Sequence, residues 1–375
     1  MATHKEIMKY LKLSVNIETE PGREVQDHIK NTILGTPGKV RYQHTSFEKK
    51  LPFLGKIFFL NLRKSGKLLG TIAFSLRDTQ SPYQPIRSWF VRYFSIRAPL
   101  RDTQYKVGKK QKQNSHGRDS ILKSTAEPFF TNPDQIAADM NFKNDRSLIY
   151  AYIEKENLRS WNFSESVGFE TVGRIHTSMY SRFRPKMNPN VHPANPDEKE
   201  FIFSRLREFY KDYCMYTDQN IFFNEYYLVW KENGRIVAGC QANPELWQIV
   251  HIPGLLSNIF LKGFARLPFI SRRFNPKYMK FIAFEGIWYE REYETCLLPL
   301  IESALALHKR YLGVLWLDSS CHVFELVRRL GNRGMVGRFF NAIPGEIRVR
   351  FINWGEKEKE EFRQKPCYIS CFDMA

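Results

Sequence analysis

Four prolines, at positions 185, 189, 193 and 196, divide this chain near its middle. They lie in RFRPKMNPNVHPANPDEKE, residues 182–200, at spacings of three or four residues. Proline fixes its own φ and lacks a backbone N–H, so this spacing excludes a continuous helix or central strand and favours an extended connector. Since 375 residues suit two domains, we predict one over 1–184, a linker over 185–199 and a second domain over 200–375.

The same order of elements is predicted on both sides of this linker. Turns at Ser65-Gly66 and at Asn233-Gly234 each join two apolar strands into a hairpin. Each hairpin is followed by a strand, a helix, a strand, a helix and a final strand. The repetition indicates internal duplication of one mixed α/β unit, and chance similarity of two mixed domains is the alternative.

Charge and hydropathy narrow the range of functions. The net charge is +18, and residues 49–123 hold 17 Lys and Arg against three Asp and Glu. Clustered positive charge suits a phosphate-bearing partner, and it equally suits a solvated surface rich in lysine. Because we find neither an apolar run long enough to cross a bilayer nor a cleavable leader, we expect a cytoplasmic protein without a membrane span.

The six cysteines are scattered along the chain. Only Cys367 and Cys371 are close, in KPCYISCF, where the pattern predicts a strand with both side chains on one face. No histidine or further cysteine accompanies them. We therefore expect no metal site, and free, mostly buried thiols in a reducing compartment.

The stretch NLRSWNFSESVGFETVG, residues 157–173, has the clearest chemical pattern. A helical segment begins at Asn157, whose side chain suits an N-cap, and Ser160 is small enough to let a cofactor arm pass. Gly168 can end the helix in the left-handed conformation, after which Phe169 can pack back onto the core. An ordinary helix-to-strand connection uses the same residues, so the stretch by itself leaves both interpretations open.

Residues 148–173 resemble the last conserved block of the GNAT acyltransferase family. Asn157, Ser160, Phe163, Gly168 and Phe169 stand at the spacing of that block, within the same strand-helix-strand context. The resemblance implies an α/β, mixed α+β fold of two tandem GNAT-like domains, each with a central mixed, mainly antiparallel sheet flanked by helices. It also implies acetyl-CoA, or another acyl-CoA, as cosubstrate.

In the family, the pantetheine arm of the cosubstrate lies in a splay between two central strands and bonds to their exposed backbone. The resemblance places Phe94, Ser95 and Ile96, at the end of RSWFVRYFSI, on one side of that splay. Asn157 and Ser160 flank it on the helix.

The family's pyrophosphate loop has only a partial counterpart here, QNSHGRDSILK. Gly117, Arg118 and Ser120 are its candidate phosphate-binding residues. Phosphate binding at a helix N-terminus depends on free amides and the helix dipole, so the site can tolerate a missing glycine. The preceding lysines add positive charge and are Lys109, Lys110 and Lys112. A basic loop with no ligand is the alternative.

Candidate catalytic residues are sparse. Ser164 stands where the family often has the tyrosine that protonates the leaving thiolate, and a serine of normal pKa is a poor acid. In the second half, Glu285 ends the strand on which the family often places its general base. The loop after it contains Glu290, Glu292 and Glu294, which would repel a pyrophosphate. We therefore expect a degenerate second domain with a structural role.

Three functions follow from the resemblance. The first is transfer of an acetyl group from acetyl-CoA to an amine of an unidentified acceptor, with a CoA-type phosphorylated ligand as partner. The second is an aminoacyl-tRNA-dependent tandem-GNAT transferase, which the positive segment allows, although residues 49–123 contain no recognisable nucleic-acid motif. The third is a non-catalytic acyl-CoA-binding protein that has lost its acid-base residues.

Overall fold

The computed structural model describes residues 4–10, 13–82, 84–96, 125–140, 146–252, 278–331, 334 and 344–374. Fourteen strands of this described chain form one mixed sheet. They are β1 (His4–Tyr10), β2 (Leu13–Glu18), β3 (Arg41–His44), β4 (Ile57–Lys64), β5 (Lys67–Gln80), β6 (Pro85–Ile96), β7 (Ser147–Glu154), β8 (Glu170–Ser181), β9 (Val191–Pro193), β10 (Tyr227–Glu232), β11 (Arg235–His251), β12 (Tyr278–Tyr289), β13 (Leu312–Asp318) and β14 (Gly345–Ile352).

Helices cover the faces of this sheet. Those described are α1 (Arg23–Lys30), α2 (Phe47–Lys50), α3 (125–131), α4 (Leu158–Ser166), α5 (Lys199–Phe209), α6 (Leu297–Leu307), α7 (His322–Leu330), α8 (Glu356–Arg363) and α9 (Cys371–Met374). A helix that crosses a bilayer is absent from the described residues, whose helices are all too short or too polar. The predicted mixed α/β class is confirmed.

The sheet runs through both halves of the chain. Its order is β1-β2-β4-β5-β6-β7-β14-β8-β13-β12-β11-β10-β9, and β3 pairs with β11. The last strand, β14, therefore lies between β7 and β8, and β8 pairs on its other edge with β13. Each half thus contributes its final strand to the sheet of the other. The division into 1–184, 185–199 and 200–375 stays a prediction.

The predicted repetition of elements is confirmed. Hairpin β4–β5, β6, α3, β7, α4 and β8 are followed in the second half by hairpin β10–β11, β12, α6, β13, α7 and β14. Both hairpins turn where glycine was expected, with positive φ at Ser65, Gly66, Asn233 and Gly234. Two consecutive positive φ values match the right-handed twist of the flanking strands, which is why such turns favour glycine and asparagine.

The C-terminal tail differs from its prediction. Residues Cys371–Met374 form helix α9 rather than the end of a strand. Pairing of Cys367 with Cys214 is limited to one bridge, so the expected strand never continues. The alternating apolar pattern reflects burial on several sides rather than one face of a sheet. All six cysteines are free and buried, as expected.

The proline-rich segment contains more order than an extended linker. Val191–Pro193 forms strand β9 at the edge of the sheet, against β10. An edge position suits proline, which has no N–H to give to a second neighbour. Residues Pro196–Glu198 then form one turn of 3-10 helix, which leads into α5.

Candidate functional site

Two central strands of the first half pair at one end and diverge at the other. Parallel strands β6 and β7 pair from Arg87 with Ser147 to Phe90 with Tyr150. Beyond that pair both strands continue, to Ile96 and Glu154, and within the described chain they no longer pair with each other. We call this gap, between residues 91–96 and 151–154, the first splay.

A β-bulge on β6 marks the apex of the first splay. The register between β5 and β6 shifts between the pair Thr71–Ser95 and the pair Ala73–Arg92. Tyr93, inside the shift, has a φ of 53°. A bulge interrupts the ladder and re-aims the strand, so the direction of β6 changes beside the gap. The family resemblance implies the splay but not the bulge.

Helix α4 flanks the first splay and has the predicted ends. The side chain of Asn157 accepts a hydrogen bond from the backbone N–H of Ser160, at 3.3 Å. At the other end, Gly168 has a φ of 81° and Phe169 is buried in the core. Because Ser160 lies one turn before buried Ser164 and two turns before buried Val167, it faces the sheet.

Substitution of Gly168 is expected to be costly. A Cβ at this position would lie 2.9 Å from the Nη1 atom of Arg350, and the positive φ is itself unfavourable for other residues. We expect Gly168→Ala to lower the free energy of unfolding by about 1–2 kcal/mol, which urea denaturation would measure. Gly66→Ala is the control, because its φ of 81° is similar but nothing lies within 4 Å of its Cβ. Equal losses for the two variants would contradict the role of Arg350.

Helix α4 is tied to β14, the strand supplied by the C-terminal half. The guanidinium of Arg348 lies 4.6 Å from the centre of the Trp161 ring and donates to the carbonyl of Phe169. The indole N–H of Trp161 and the hydroxyl of Thr171 both donate to the carboxylate of Glu346. Cation–π contacts and charge-assisted hydrogen bonds hold planar groups in fixed orientation. The wall of the first splay therefore depends on residues near position 350.

The predicted cofactor residues of β6 lie beside the first splay. Phe94 and Ile96 line a small apolar cleft between the sheet and α3. The ring of Phe94 also contacts that of Phe163 on α4, with centroids 5.1 Å apart. Ser95 is buried, and its hydroxyl pairs with that of Thr32 at 2.7 Å. The side chains of these three residues thus face packed surfaces.

Gly117, Arg118 and Ser120, predicted to bind the pyrophosphate, lie outside the described residues, as do the three lysines before them. Of the predicted residues that are described, Phe94 packs against α4, which Asn157 caps and on which Ser160 lies, whereas the side chain of Ser95 packs against Thr32.

The predicted catalytic residue Ser164 is enclosed. It is 4% exposed, and its hydroxyl donates to the carbonyl of Trp161 at 2.7 Å, within the same helix. Hydroxyl-to-backbone bonds of this kind are common for serine inside helices. The hydroxyl proton of Ser164 is therefore engaged in a hydrogen bond within the helix.

The second half repeats the splay, and the C-terminal segment bonds to both of its strands. Strands β12 and β13 pair only at Ile282–Gly313 and Ala283–Val314, and a bulge falls at Gly286, whose φ is 55°. Residues 367–369 line the gap between them. The backbone N–H of Cys367 donates to Asp318 at 2.8 Å, and the hydroxyl of Tyr368 donates to Glu285 at 3.2 Å.

Glu285, the other predicted catalytic residue, lies on β12 and contacts this segment. Its carboxylate also accepts hydrogen bonds from the thiol of Cys371 and from the backbone N–H of Phe372. Burial, the largest influence, raises the pKa of Glu285 above its usual value. The described contacts give this carboxylate a role in holding the C-terminal segment.

A buried ion cluster, which the sequence analysis missed, lies between the two bulges. Oδ1 of Asp373 accepts from Arg77 Nη2 at 2.5 Å and from Arg92 Nη1 at 3.2 Å. Arg77 also donates to the side chain of Asn220 at 2.6 Å. Charged residues are rarely fully buried unless they are paired. An arginine inside each of the apolar strands TIAFSLRDT and WFVRYFSI was therefore the available signal, although nothing local indicated the partner.

Three aromatic rings stack on the paired strands β3 and β11. The rings of Tyr42 and Trp247 are parallel within 4°, with centroids 4.0 Å apart, and His44 stacks on both at about 5.5 Å. Burial, followed by the positive charges of Lys50 and Arg92, lowers the pKa of His44 to about 3. Its imidazole is therefore neutral at physiological pH.

Taken together, these observations define a mixed α/β fold in which two halves with the same order of elements share one sheet. No protein-family sequence model and no curated protein sequence matches the chain. The similarity is instead one of structure, at low sequence identity.

The N-myristoyltransferase of Saccharomyces cerevisiae is similar over nearly the whole chain. A structure with bound myristoyl-CoA has a TM-score of 0.56 and 9% identity, and the match covers 93% of this chain and 85% of that one. A second structure of the yeast enzyme also has a TM-score of 0.56 and 9% identity, with coverages of 98% and 87%. A GCN5-related N-acetyltransferase from Sphaerobacter thermophilus has a TM-score of 0.45 and 12% identity, with coverages of 79% and 81%.

Proposed function

We propose that the protein is an acyltransferase that moves an acyl group, in the simplest case acetyl, from acyl-CoA to an amine. The observation that carries this proposal is the first splay itself. Strands β6 and β7 diverge after Phe90 and Tyr150, beside a bulge, and are flanked by an asparagine-capped helix. The yeast N-myristoyltransferase, a structure of which contains myristoyl-CoA, supports the choice of an acyl-CoA as donor.

In this proposal the pantetheine arm lies in the first splay. The residues that border it are Phe94, Ser95, Ile96, Asn157 and Ser160. The amine attacks the thioester carbonyl, a C–N bond forms and the C–S bond breaks. The proton that the nitrogen loses passes through water to the leaving thiolate, which gives CoA thiol. A backbone N–H of β6 near the bulge polarises the carbonyl oxygen. A fixed backbone donor suits this role because it needs no reorganisation as charge develops on the oxygen.

The cap of α4 provides the test of binding. We expect isothermal titration to detect acetyl-CoA, or a longer acyl-CoA from a series, and Asn157→Ala to weaken that binding several-fold. The same change should lower the free energy of unfolding by about 1 kcal/mol, because the amide of Ser160 loses its partner. Asn157→Ser is the control, since serine also caps a helix and should retain both properties.

Catalysis is tested separately from binding. Purified protein, acyl-CoA and a panel of primary amines should release CoA thiol at a rate that depends on the amine. Absence of heat with every acyl-CoA would overturn the proposal. Binding without turnover of any amine would instead indicate a non-catalytic binding protein, a function that the enclosed hydroxyl of Ser164 favours.

A further inference from the structure

Two nitrogen atoms of the stacked rings on β3 and β11 are buried without a hydrogen bond. Among the described residues, neither Nε1 of Trp247 nor Nε2 of His44 has a partner. Trp247 is 9% exposed, so its N–H has little access to bulk solvent. A buried donor or acceptor left unpaired is costly, which is why most such groups in proteins have a partner. A donor and an acceptor side by side therefore indicate a polar ligand.

These rings belong to the core on the face of the sheet opposite helix α4. Trp247 packs in one core with Phe90 and Tyr150, the last residues that pair before the strands diverge. Their neighbours Trp89 and Ile149 belong to the core on the α4 side. Successive residues of a strand point to opposite faces, so the two cores lie on opposite faces of the sheet.

The charges around the rings come from both strands of the splay. After burial, Glu154 at the end of β7 is the next influence that raises the pKa of Tyr42. For His44, burial and Lys50 are the largest influences. Arg92, beside the bulge of β6, follows them and also lowers the pKa of His44. The stacked rings are therefore within electrostatic reach of both sides of the gap, where an acceptor must approach a thioester carbonyl held between the strands.

We propose that His44 and Trp247 form the acceptor subsite, and that it binds a primary amine with a hydrogen-bonding oxygen on a neighbouring carbon. The amine donates an N–H to Nε2 of neutral His44, which leaves the nitrogen lone pair free for attack. The oxygen accepts from the indole N–H of Trp247, which is only a donor. The face of the Tyr42–Trp247 stack supports the carbon chain. This subsite rests on the proposed function, because it assumes that the first splay holds the acyl donor.

Two amines that differ in one group test the contact with Trp247. They are 1-amino-2-propanol and isobutylamine, in which a methyl group replaces the hydroxyl. A site built to bond a hydroxyl rejects the analogue that lacks it. We expect the wild-type protein to prefer 1-amino-2-propanol at least tenfold in kcat/KM, and Trp247→Phe to bring that ratio near one.

Matched variants separate recognition from packing. Trp288→Phe removes another buried indole N–H without a partner among the described residues, in the core of the second half, and should leave the preference intact. His44→Leu should lower kcat/KM for both amines to the same extent, because both present the same amine. An unchanged ratio in Trp247→Phe, or no preference in the wild-type protein, would overturn the subsite.

Binding can be followed without turnover, which separates failure of this subsite from failure of the proposed function. In ¹H–¹⁵N spectra of ¹⁵N-tryptophan protein, Trp247→Phe identifies one of the seven indole resonances. We expect that resonance to shift in a saturable manner with 1-amino-2-propanol and less with isobutylamine. If it does not move, the subsite is wrong even where acyl-CoA binds. If it moves while no acyl-CoA binds, the subsite stands and the proposed donor is wrong.

Discussion

Replacement of Asp373 by asparagine is expected to lower the free energy of unfolding by about 3–5 kcal/mol, which is a large part of the stability of an ordinary domain. Asp373 is the one carboxylate that forms an ion pair with both Arg77 and Arg92 among the described contacts, and the side chains of all three are at most 5% exposed. Asparagine retains the volume but leaves two buried guanidinium groups without a negative charge. Urea denaturation followed by far-UV circular dichroism would measure the loss.

Arg92→Met is the control for this prediction. It leaves Asp373 paired with Arg77 at 2.5 Å, so no buried charge remains alone. Methionine also fills much of the space of the arginine stem. We therefore expect a smaller loss of stability, of about 1–2 kcal/mol. If Arg92→Met proved as damaging as Asp373→Asn, shape rather than charge would determine stability at this cluster.

Replacement of Ser160 by tryptophan is expected to weaken acyl-CoA binding at least tenfold while the fold survives. Ser160 lies in the first turn of α4, half-buried, on the face of the helix that packs toward β6 and β7. An indole at this position would occupy the gap in which we place the pantetheine arm. Van der Waals attraction falls steeply with distance, so even a small displacement of the ligand by the indole reduces its contacts with the protein. Isothermal titration with acyl-CoA would measure the change.

Ser160→Ala is the matched control, because alanine adds no volume and retains the backbone N–H that Asn157 caps. We expect it to bind acyl-CoA as the wild-type protein does. A circular dichroism spectrum and melting temperature near those of the wild type would establish that Ser160→Trp is folded. Unaltered binding by a folded Ser160→Trp would place the cosubstrate somewhere other than the first splay.

Much of the local structure could be predicted from the sequence. Helix α4 begins after Asn157 and ends before Gly168, and both hairpins turn at the predicted glycines. These features depend on groups a few residues apart, such as a side chain that accepts from an amide three positions later. A short stretch of sequence contains all the atoms involved, which is why its pattern is sufficient.

The roles of the catalytic candidates could not be predicted from the sequence. Ser164 and Glu285 stand at positions to which the GNAT resemblance gives catalytic roles. In the structure, the hydroxyl of Ser164 donates to a carbonyl of its own helix, and the carboxylate of Glu285 contacts the C-terminal segment. Which atoms surround a side chain depends on distant parts of the chain, and a one-dimensional spacing does not contain that information.

The sequence by itself determined the repeated order of elements in the two halves, the two hairpin turns and the ends of helix α4, because these depend on neighbouring residues. Only the tertiary structure decided that β14 enters the sheet of the first half, that residues 367 and 368 bond to both strands of the second splay, and that Asp373 joins two arginines nearly 300 positions away. Those outcomes depend on burial of charge and apolar area between segments far apart in sequence. Burial of that kind exists only after the chain has folded.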